Sequence, residues 1–444
     1  MQNLRKELRK LAAPIWVEVM LMMLVGATDT FMLGHYSDSA VAAVGVVNQL
    51  VNLAFLVFQV INIGTLVMCS QYIGAKQNDN VLQTMGTALA VNITMGLVVS
   101  ALLYVFRDYW LSLMGVKEEL LQYALPYMKI VGGFAFLQAI SMAIGAGLRS
   151  ANMPKYPMYV TLFSNVLNII GNYMFIFGNF GMPALGVSGA AMSTVFARLI
   201  AMCILIYLLH SKWIPSFPIK MFRPFPWDKL RNILKVGLPS AGENMSYDAA
   251  QVVCTAMIVT MGTVSLATRI YVFNITCFAC LSAIALGQAG AISIAHLVGG
   301  ERRNAAFLIG RYVMIWSVVI SIVMAVVFAV FGRQVLGLMT TNEDIISLGC
   351  KIFYINIFLE IGRAINIYAT NALRAAGDIY FPFLLGVIVM WSCQVGCAYL
   401  FGIHFGWGLI GCWIAYALDE NIRGIIFVWR WNSQKWMKKR LIKA

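Results

Sequence analysis

The sequence predicts an all-α polytopic membrane protein, with twelve transmembrane helices in two six-helix lobes related by a parallel internal repeat. Hydrophobic residues occupy 61% of the 444 positions, charged residues only 11%, and the mean hydropathy is +0.79. A soluble protein needs a more polar surface, so most of this chain is expected to contact lipid. Apolar stretches of about 20 residues, the length that crosses a bilayer as a helix, recur throughout. The alternating pattern of transmembrane strands is absent, which leaves helices.

The apolar stretches number twelve. They lie near 11–34, 47–72, 84–106, 121–147, 156–178, 184–209, 232–262, 270–297, 306–331, 346–372, 380–402 and 407–429. The first stretch is too long for a signal peptide and lacks a small-residue cleavage site, so it is predicted to remain as the first span.

Lysine and arginine are distributed unevenly between the two predicted sides of the membrane. The formal net charge is +14, with 32 Lys and Arg against 18 Asp and Glu. One side receives the basic segments before the first span, from Lys212 to Lys235 and from Arg430 to Lys443. The opposite loops hold Arg107, Lys117, Arg269 and Arg333. This asymmetry follows the positive-inside rule, so we expect a multi-pass cell-membrane protein with cytoplasmic termini and no nucleic-acid partner.

The second half of the chain repeats the first at an offset of 225 residues. This offset aligns Pro14 with Pro239, Glu18 with Glu243, Gly74 with Gly299 and Arg149 with Arg374; after a small gap, Gly186 and Gly189 align with Gly408 and Gly411. Six spans in each half is an even number, so both halves enter the membrane from the same side. The predicted organisation is an N-lobe at 1–209, a basic cytoplasmic linker at 210–231, a C-lobe at 232–430 and a basic cytoplasmic tail at 431–444.

Acidic residues inside the spans are the first candidates for function, because a charge in lipid is costly unless it is paired or faces water. Glu18 and Asp29 are 11 residues apart in the first span, which places them on nearly the same helix face. Asp29 is predicted to bind a proton or a cation, whereas Glu18 is left open between coupling and structure. Glu243 repeats Glu18, and Asp248 lies about 140° further around that helix, so Glu243 ranks above Asp248 as a coupling acid.

Two further patterns involve polar residues at helical spacing. Asn165, Asn168 and Asn172 form one stripe on the fifth span; their amides could ligate Na⁺ or orient an acid's proton, and they serve equally well as hydrogen bonds between helices. Two sets of opposite charges stand one helical turn apart and are interpreted as structural ion pairs, with a gating role left open. They are Asp419 with Arg423, and Glu360 with Arg363.

The sequence contains no motif for ATP binding or for metal-dependent proteolysis. No G-x-x-x-x-G-K-[ST] loop is present to hold ATP, and no H-E-x-x-H helix is present to hold a catalytic metal. The nine cysteines lie almost entirely within apolar spans without His or acidic partners, so they are interpreted as core residues. We therefore expect no cofactor, no catalytic residue, and transport energy from a gradient of H⁺ or Na⁺.

In this setting the chain resembles the multidrug and toxic compound extrusion (MATE) family, within the larger group that includes flippases for lipid-linked oligosaccharides. The resemblance covers nearly the full length. It is carried by Leu11–Pro14, Val25–Gly34, Ala40–Gly45, Gln71–Ala75, Gly147–Ser150, Pro183–Gly189, Gly237–Pro239, Leu373–Asp378 and Asp419–Arg423. It implies two lobes in a V shape that expel organic cations or similar amphiphiles in exchange for H⁺ or Na⁺.

The resemblance also implies site residues. Asp29 matches an aspartate on helix 1 that many members use, and Asn168 and Thr194 look like its amide and hydroxyl partners, so a Na⁺ ion at Asp29, Asn168 and Thr194 is one option. Asn172 departs from the pattern, because many relatives carry an aspartate there, and this chain has lost that negative charge. In other branches an acid on helix 7 carries coupling, and Glu243 resembles it better than Asp248.

The predicted function is therefore secondary-active efflux of small amphiphilic or cationic compounds by antiport. The alternative is a flippase for a lipid-linked oligosaccharide, which would need a strongly basic cavity; the intramembrane cations that stand clear of acids in the sequence are chiefly Lys129, Arg198 and Lys351. An intramembrane enzyme is a remote alternative, because no residue is nominated as its nucleophile. Nothing in the sequence indicates the oligomeric state.

Overall fold

The computed structural model describes residues 2–215 and 225–442, and within these ranges the chain is helical with no strand. The N-terminal half forms α1 (Gln2–Gly34), α2 (Asp38–Gly74), α3 (Asn78–Val105), α4 (Arg107–Leu113), α5 (Glu118–Tyr127), α6 (Ala135–Ser150), α7 (Lys155–Phe177) and α8 (Val187–Lys212). The C-terminal half forms α9 (Trp227–Val259), α10 (Thr263–Gly299), α11 (Arg303–Val330), α12 (Gly332–Gly337), α13 (Glu343–Ala375), α14 (Tyr380–Val389) and α15 (Gly408–Asn432).

Each of the twelve predicted spans coincides with a helix. Nine helices in the described ranges are long and apolar enough to cross a membrane, and α5 with α6, bent by 43° beyond a π-helical turn, forms a tenth. After α14 the chain continues as π-helical turns to His404, completing one of the nine. The two remaining predicted spans are α9 and α15, whose polar and charged residues lower their hydropathy. The all-α membrane fold class is confirmed.

The helices pack into two compact units whose boundaries differ from those of the predicted lobes. The N-unit comprises Val17–Gly237, and the C-unit comprises Met1–Trp16 with Leu238–Ala444. α1 and α9 have 33 residues each, about 50 Å, which exceeds the thickness of a bilayer core. The start of each packs in the unit formed by the other half. The lobes at 1–209 and 232–430 stay a prediction.

Contacts within each unit show this exchange. In the N-unit, Lys229 at the start of α9 donates a hydrogen bond of 2.7 Å to Asn80 Oδ1 on α3. In the C-unit, the Arg5 guanidinium of α1 stacks over Tyr312 on α11. Trp16 Nε1, also on α1, donates to Ser282 Oγ on α10 over 3.1 Å.

The predicted linker and tail are only partly described. The linker at 210–231 begins in α8 and ends in α9, and its residues 216–224 lie outside the described residues. The last two residues of the predicted tail at 431–444 also lie outside them. The described part of the tail is anchored in the C-unit, because Trp436 is buried and stacks on Trp431 with ring centroids 4.4 Å apart.

The glycines that mark the repeat allow close packing of helices. A Cβ on Gly189 of α8 would lie 2.3 Å from the carbonyl oxygen of Phe175 on α7. A Cβ on the repeat-related Gly411 of α15 would lie 2.6 Å from the carbonyl carbon of Phe401. Both separations are shorter than a van der Waals contact, so a larger residue would force the helices apart. These glycines therefore serve the fold of each unit.

Candidate functional site

The N-unit joins the predicted polar residues of three helices by hydrogen bonds. Asn172 Nδ2 on α7 donates to Asp29 Oδ1 on α1 over 2.6 Å. Asn172 Nδ2 also lies 3.4 Å from Asn168 Oδ1, one turn earlier on α7. Asn168 Nδ2 in turn donates to Thr194 Oγ1 on α8 over 3.2 Å. The four residues, which the resemblance grouped as one site, thus form one continuous chain of polar contacts.

Close packing of α7 and α8 positions the two amides. A Cβ on Gly171 would lie 2.3 Å from Ser193 Oγ, so glycine is what allows α8 to approach α7 here. Ser193 Oγ then donates to the backbone carbonyl of Asn168 over 2.9 Å. Asn168 and Asn172 are 4% and 0% exposed, so their amides face protein instead of lipid, as expected for a polar stripe.

Arg198 belongs to the same region, which the sequence did not indicate. It follows Thr194 by one helical turn on α8, and its charge interacts electrostatically with Asp29 and with Tyr127 on α5. Its guanidinium lies 5.4 Å from the ring centroid of Phe55. The prediction that Arg198 stands clear of acids is wrong, because the carboxylate of Asp29, far away in sequence, lies within electrostatic range of its guanidinium. We call Asp29, Asn168, Asn172, Thr194 and Arg198 the N-cluster.

Each unit contains its own ion pair, and the two pairs lie at repeat-related positions. In the N-unit, Arg149 Nη1 on α6 lies 2.8 Å from Glu18 Oε1 on α1. In the C-unit, Arg374 on α13 pairs with Glu243 on α9. Sequence comparison aligned all four residues but did not predict that they pair. The available signal was that both partners recur at the same offset.

The acids of α9 occupy different environments. Glu243 is buried and ion-paired, whereas Asp248 is exposed and makes no hydrogen bond or ion pair with any residue that the structure describes. This difference follows from their separation of about 140° around the helix. The pair with Arg374 supports a structural role for Glu243, and a coupling role for either acid stays a prediction.

The C-unit contains a second set of buried charges. Both predicted pairs form: Arg363 Nη1 lies 2.6 Å from Glu360 Oε1, and Arg423 pairs with Asp419. Glu420, which the prediction left aside, joins them, with its carboxylate oxygens 3.4 Å from Arg423 Nη2 and 3.9 Å from Arg363 Nε. We call these five residues the C-cluster. Three acids and two arginines sum to a formal charge of −1 when all are ionised.

Two asparagine side chains donate hydrogen bonds to acids of the C-cluster, and two of its carboxylate oxygens receive none from the described residues. Asn366 Nδ2 donates to Glu420 Oε2 over 2.7 Å, and Asn356 Nδ2 donates to Glu360 Oε1 over 3.3 Å. Glu360 Oε2 and Asp419 Oδ1 are buried and have no hydrogen-bond partner in the part of the chain that the structure describes. Across residues 2–215 and 225–442, no group of three or more His, Cys, Asp or Glu side chains is arranged to hold a metal ion.

Comparison with known proteins identifies the family. The MatE family model matches residues 14–174 and again 239–400, and the two matches begin 225 positions apart, as the repeat predicts. The chain is 39% identical to "Uncharacterized transporter YisQ" of Bacillus subtilis, over 96% of this chain and 94% of that protein. It is 27% identical to "Probable multidrug resistance protein NorM" of Thermotoga maritima, over 99% and 95%.

Solved structures share the fold. A crystal structure of the Vibrio cholerae MATE transporter VcmN in its bent form matches with a TM-score of 0.90 at 19% identity, covering 98% of both chains. A MOP superfamily transporter from Pyrococcus furiosus, described as having a binding pocket of reverse polarity, matches with a TM-score of 0.88 at 20% identity, over 98% of this chain and 97% of that one. Members of the family are transporters and not enzymes. With both halves matched in turn, the chain belongs to the MatE family of multi-pass membrane transporters.

Proposed function

We propose that this transporter exports small amphiphilic or cationic compounds from the cell by antiport with H⁺ or Na⁺. The observation that carries this proposal is the carboxylate of Asp29 within a membrane span, which accepts a hydrogen bond from an amide and has no ion-pair partner within 4 Å among the described residues. An acid in that position is costly, so it is a candidate for function. The similarity to a protein named for multidrug resistance, NorM of Thermotoga maritima, supports the same substrate range.

The N-cluster can couple two ligands through one acid. In its ionised form, Asp29 accepts the hydrogen bond from Asn172 and attracts a cationic group. A proton on Asp29 removes the negative charge and so weakens the attraction for that group. Proton binding and substrate binding therefore compete, which is the thermodynamic requirement for exchange.

The charges around Asp29 favour H⁺ over Na⁺ as the coupling ion. Asp29 is the only acid of the N-cluster, and the nearby Arg198 offsets its charge. A Na⁺ ion at Asp29, Asn168 and Thr194 would be repelled by that guanidinium, whereas a proton needs only one carboxylate oxygen. The flippase alternative needs intramembrane cations that are not neutralised by acids. Arg198 was one of the three such cations in the sequence, and its proximity to Asp29 weakens that alternative.

We also propose that both termini are cytoplasmic. The support is the basic character of the described terminal segments: Arg5, Lys6, Arg9 and Lys10 begin α1, and Lys435, Lys438 and Lys439 follow α15. Fusion of a reporter that is active on only one side of the membrane to each terminus tests the orientation. A reporter result that places the termini on opposite sides would also contradict the even number of spans.

The function is tested by uptake of a fluorescent organic cation into inverted membrane vesicles. A pH gradient and a Na⁺ gradient are imposed separately on wild type, Asp29→Asn and Lys129→Gln. We expect the pH gradient to drive uptake in wild type and in Lys129→Gln, an exposed intramembrane cation outside the N-cluster. Asp29→Asn is expected to abolish it. Uptake driven only by Na⁺ would reverse the choice of ion, and equal uptake by Asp29→Asn would refute the role of Asp29.

A further inference from the structure

The start of α1 carries exposed cations on one face. Arg5, Lys6 and Arg9, together with Gln2, line an open cleft of about 420 Å³. All four side chains are exposed, and helical spacing places them within about 100° of one another. The nearby acid, Glu7, lies roughly 150° away from the centre of that face. The cleft therefore presents positive charge and no carboxylate from this end of α1.

Aromatic rings of α11 contact two arginines at this end of the C-unit. The Arg5 guanidinium lies 4.4 Å from the ring centroid of Tyr312, and the Arg311 guanidinium lies 5.8 Å from that of Phe307. Because Arg311 directly precedes Tyr312, α11 adds a fourth cation next to the ring that contacts Arg5. None of the four cations forms an ion pair within the part of the chain that the structure describes. We call these residues the basic patch: Arg5, Lys6, Arg9 and Arg311.

The charges of the basic patch favour an anion that several cations share. Cations close together repel one another, and a bound anion reverses the sign of that interaction. A phosphate group suits the patch, because a guanidinium donates paired hydrogen bonds to phosphate oxygens. The stacked rings restrict Arg5 and Arg311, so less conformational entropy is lost when the anion binds. The patch thus has the charge and part of the preorganisation of a phosphate site.

An apolar surface continues from the basic patch along α11. Ile315, Val319 and Val326 are exposed and lie within about 80° of Arg311 around the helix. No charged residue occurs in the sequence between Arg311 and Arg333. Since α11 is long and apolar enough to cross the bilayer, this face contacts acyl chains. A ligand that fits both surfaces is therefore an amphiphile with an anionic headgroup.

From this arrangement we infer that the C-unit binds one anionic phospholipid of the leaflet in which α1 begins. The basic patch binds the headgroup phosphate, and the apolar face of α11 contacts an acyl chain. A phospholipid whose headgroup also carries a cation gains less, because that cation is repelled by the patch. The site lies in the C-unit, apart from the N-cluster, and does not depend on which compound the transporter exports.

The test counts the lipids that bind to the purified full-length transporter by native mass spectrometry. The protein in detergent is titrated with phosphatidylglycerol, whose headgroup is anionic, or with phosphatidylcholine, whose headgroup has no net charge. We expect one phosphatidylglycerol molecule to bind with an affinity at least about tenfold higher than that of phosphatidylcholine. Equal affinities for the two lipids would overturn the inference.

Two double variants separate the site from the general attraction between a basic protein and an anionic lipid. Arg5→Gln with Arg9→Gln should weaken phosphatidylglycerol binding about thirtyfold, because each basic residue near the headgroup contributes about fivefold. Lys155→Gln with Lys212→Gln removes the same charge from exposed positions of the N-unit and should leave the affinity unchanged. An equal loss in both double variants would mean that net charge alone attracts the lipid, and the inference would be wrong.

Two further measurements test the geometry and the source of the phosphate. Tyr312→Leu removes the ring that contacts Arg5 and should weaken binding about threefold, whereas Tyr312→Phe keeps a ring and should bind as wild type does. Equal affinities in these two variants would contradict the stacked geometry. Glycerol phosphate in large excess should leave the lipid bound, because it lacks acyl chains; full displacement would refute a lipid site. No measurement here uses a gradient, so the outcome is independent of the proposed export function.

Discussion

Repeat-related positions of the N-unit and the C-unit carry different chemistry. At the offset of 225, Asp29, Asn168 and Asn172 correspond to Cys254, Cys393 and Cys397; at the offset of 222 that follows the gap, Thr194 and Arg198 correspond to Tyr416 and Glu420. Three thiols and a phenol thus replace the polar residues of the N-cluster, and its arginine is replaced by Glu420, an acid of the C-cluster. Cys254 is fully buried in the same hydrophobic core as Tyr416. The charges of the C-unit lie instead on α13 and α15, in the C-cluster.

Other features recur unchanged in both units. The pairs of Glu18 with Arg149 and of Glu243 with Arg374 each join residues 131 positions apart. Each connects a long helix to the last turn of another helix, where the arginine lies. A contact that is present in both halves is expected to serve a property common to both, and that property is the fold. A feature that only one half has is the better candidate for function. From this comparison we propose that the two pairs serve the fold, and that the N-cluster and the C-cluster are the better candidates for function.

The largest expected effect distinguishes Asp29 from its counterpart Cys254. Asp29→Asn should reduce gradient-driven uptake in vesicles to the level of vesicles without the transporter, because the substituted side chain cannot exchange a proton. Cys254→Ser should stay near wild type, since serine has a similar size and position 254 carries no exchangeable charge in the C-unit. Equal loss in both variants would show that the two positions are functionally equivalent and would break the comparison.

The next largest effect concerns the shared ion pairs. Arg374→Gln and Arg149→Gln each leave a buried glutamate without its cation, which costs about 3 kcal/mol of unfolding free energy. Arg374→Gln should cost more, because the Arg374 side chain is 8% exposed and that of Arg149 is 20% exposed. Thermal unfolding in detergent, followed by tryptophan fluorescence, measures both.

A charge exchange sharpens this prediction. The double variant Glu243→Arg with Arg374→Glu should recover part of the stability lost in Arg374→Gln, because the opposite charges again face each other. Glu18→Gln and Glu243→Gln should also change transport to a similar extent after correction for the amount of folded protein. A selective loss of transport in Glu243→Gln would instead give that acid the coupling role that the sequence predicted.

A smaller effect tests the charge balance of the C-cluster. Arg363→Gln raises the imbalance from −1 to −2, whereas Glu360→Gln brings the formal sum to zero. We therefore expect Arg363→Gln to be less stable than Glu360→Gln by about 2 kcal/mol in the same unfolding measurement. Equal stability would mean that the three acids are not all ionised, and would remove the argument for a net charge there.

The smallest effect compares Gly64 with its counterpart Ala289. A Cβ on Gly64 of α2 would lie 2.2 Å from the backbone oxygen of Ile233 on α9, so Gly64→Ala should destabilise the N-unit by about 1 kcal/mol. At the equivalent position the C-unit already accommodates the methyl group of Ala289, which is fully buried. Ala289→Gly should lower the free energy of unfolding by less than Gly64→Ala does. The reverse order would show that the starts of α1 and α9 do not pack alike.

Prediction from sequence succeeded where neighbours lie on one helix or where the repeat marks them. Asp419 with Arg423 and Glu360 with Arg363 pair as predicted, because one turn of helix brings each pair together. Asn168 and Asn172 share a face for the same reason. Prediction did not extend to Arg198 near Asp29, since helical spacing does not say which helix packs beside which.

The sequence by itself determined the all-α membrane class, the twelve helices, the repeat and the residues Asp29, Asn168, Asn172 and Thr194 as a candidate set. The class, the helices and the repeat follow from composition, hydrophobic length and periodicity, which are local properties of the chain. The grouping of the four site residues came from the resemblance to the MATE family. Only the tertiary structure decided that Glu18 and Glu243 are held by arginines, that Glu420 joins two separate pairs, and that the starts of α1 and α9 exchange units. The physical reason is that a contact between helices depends on their rotation and separation, which the packing of all the helices determines together.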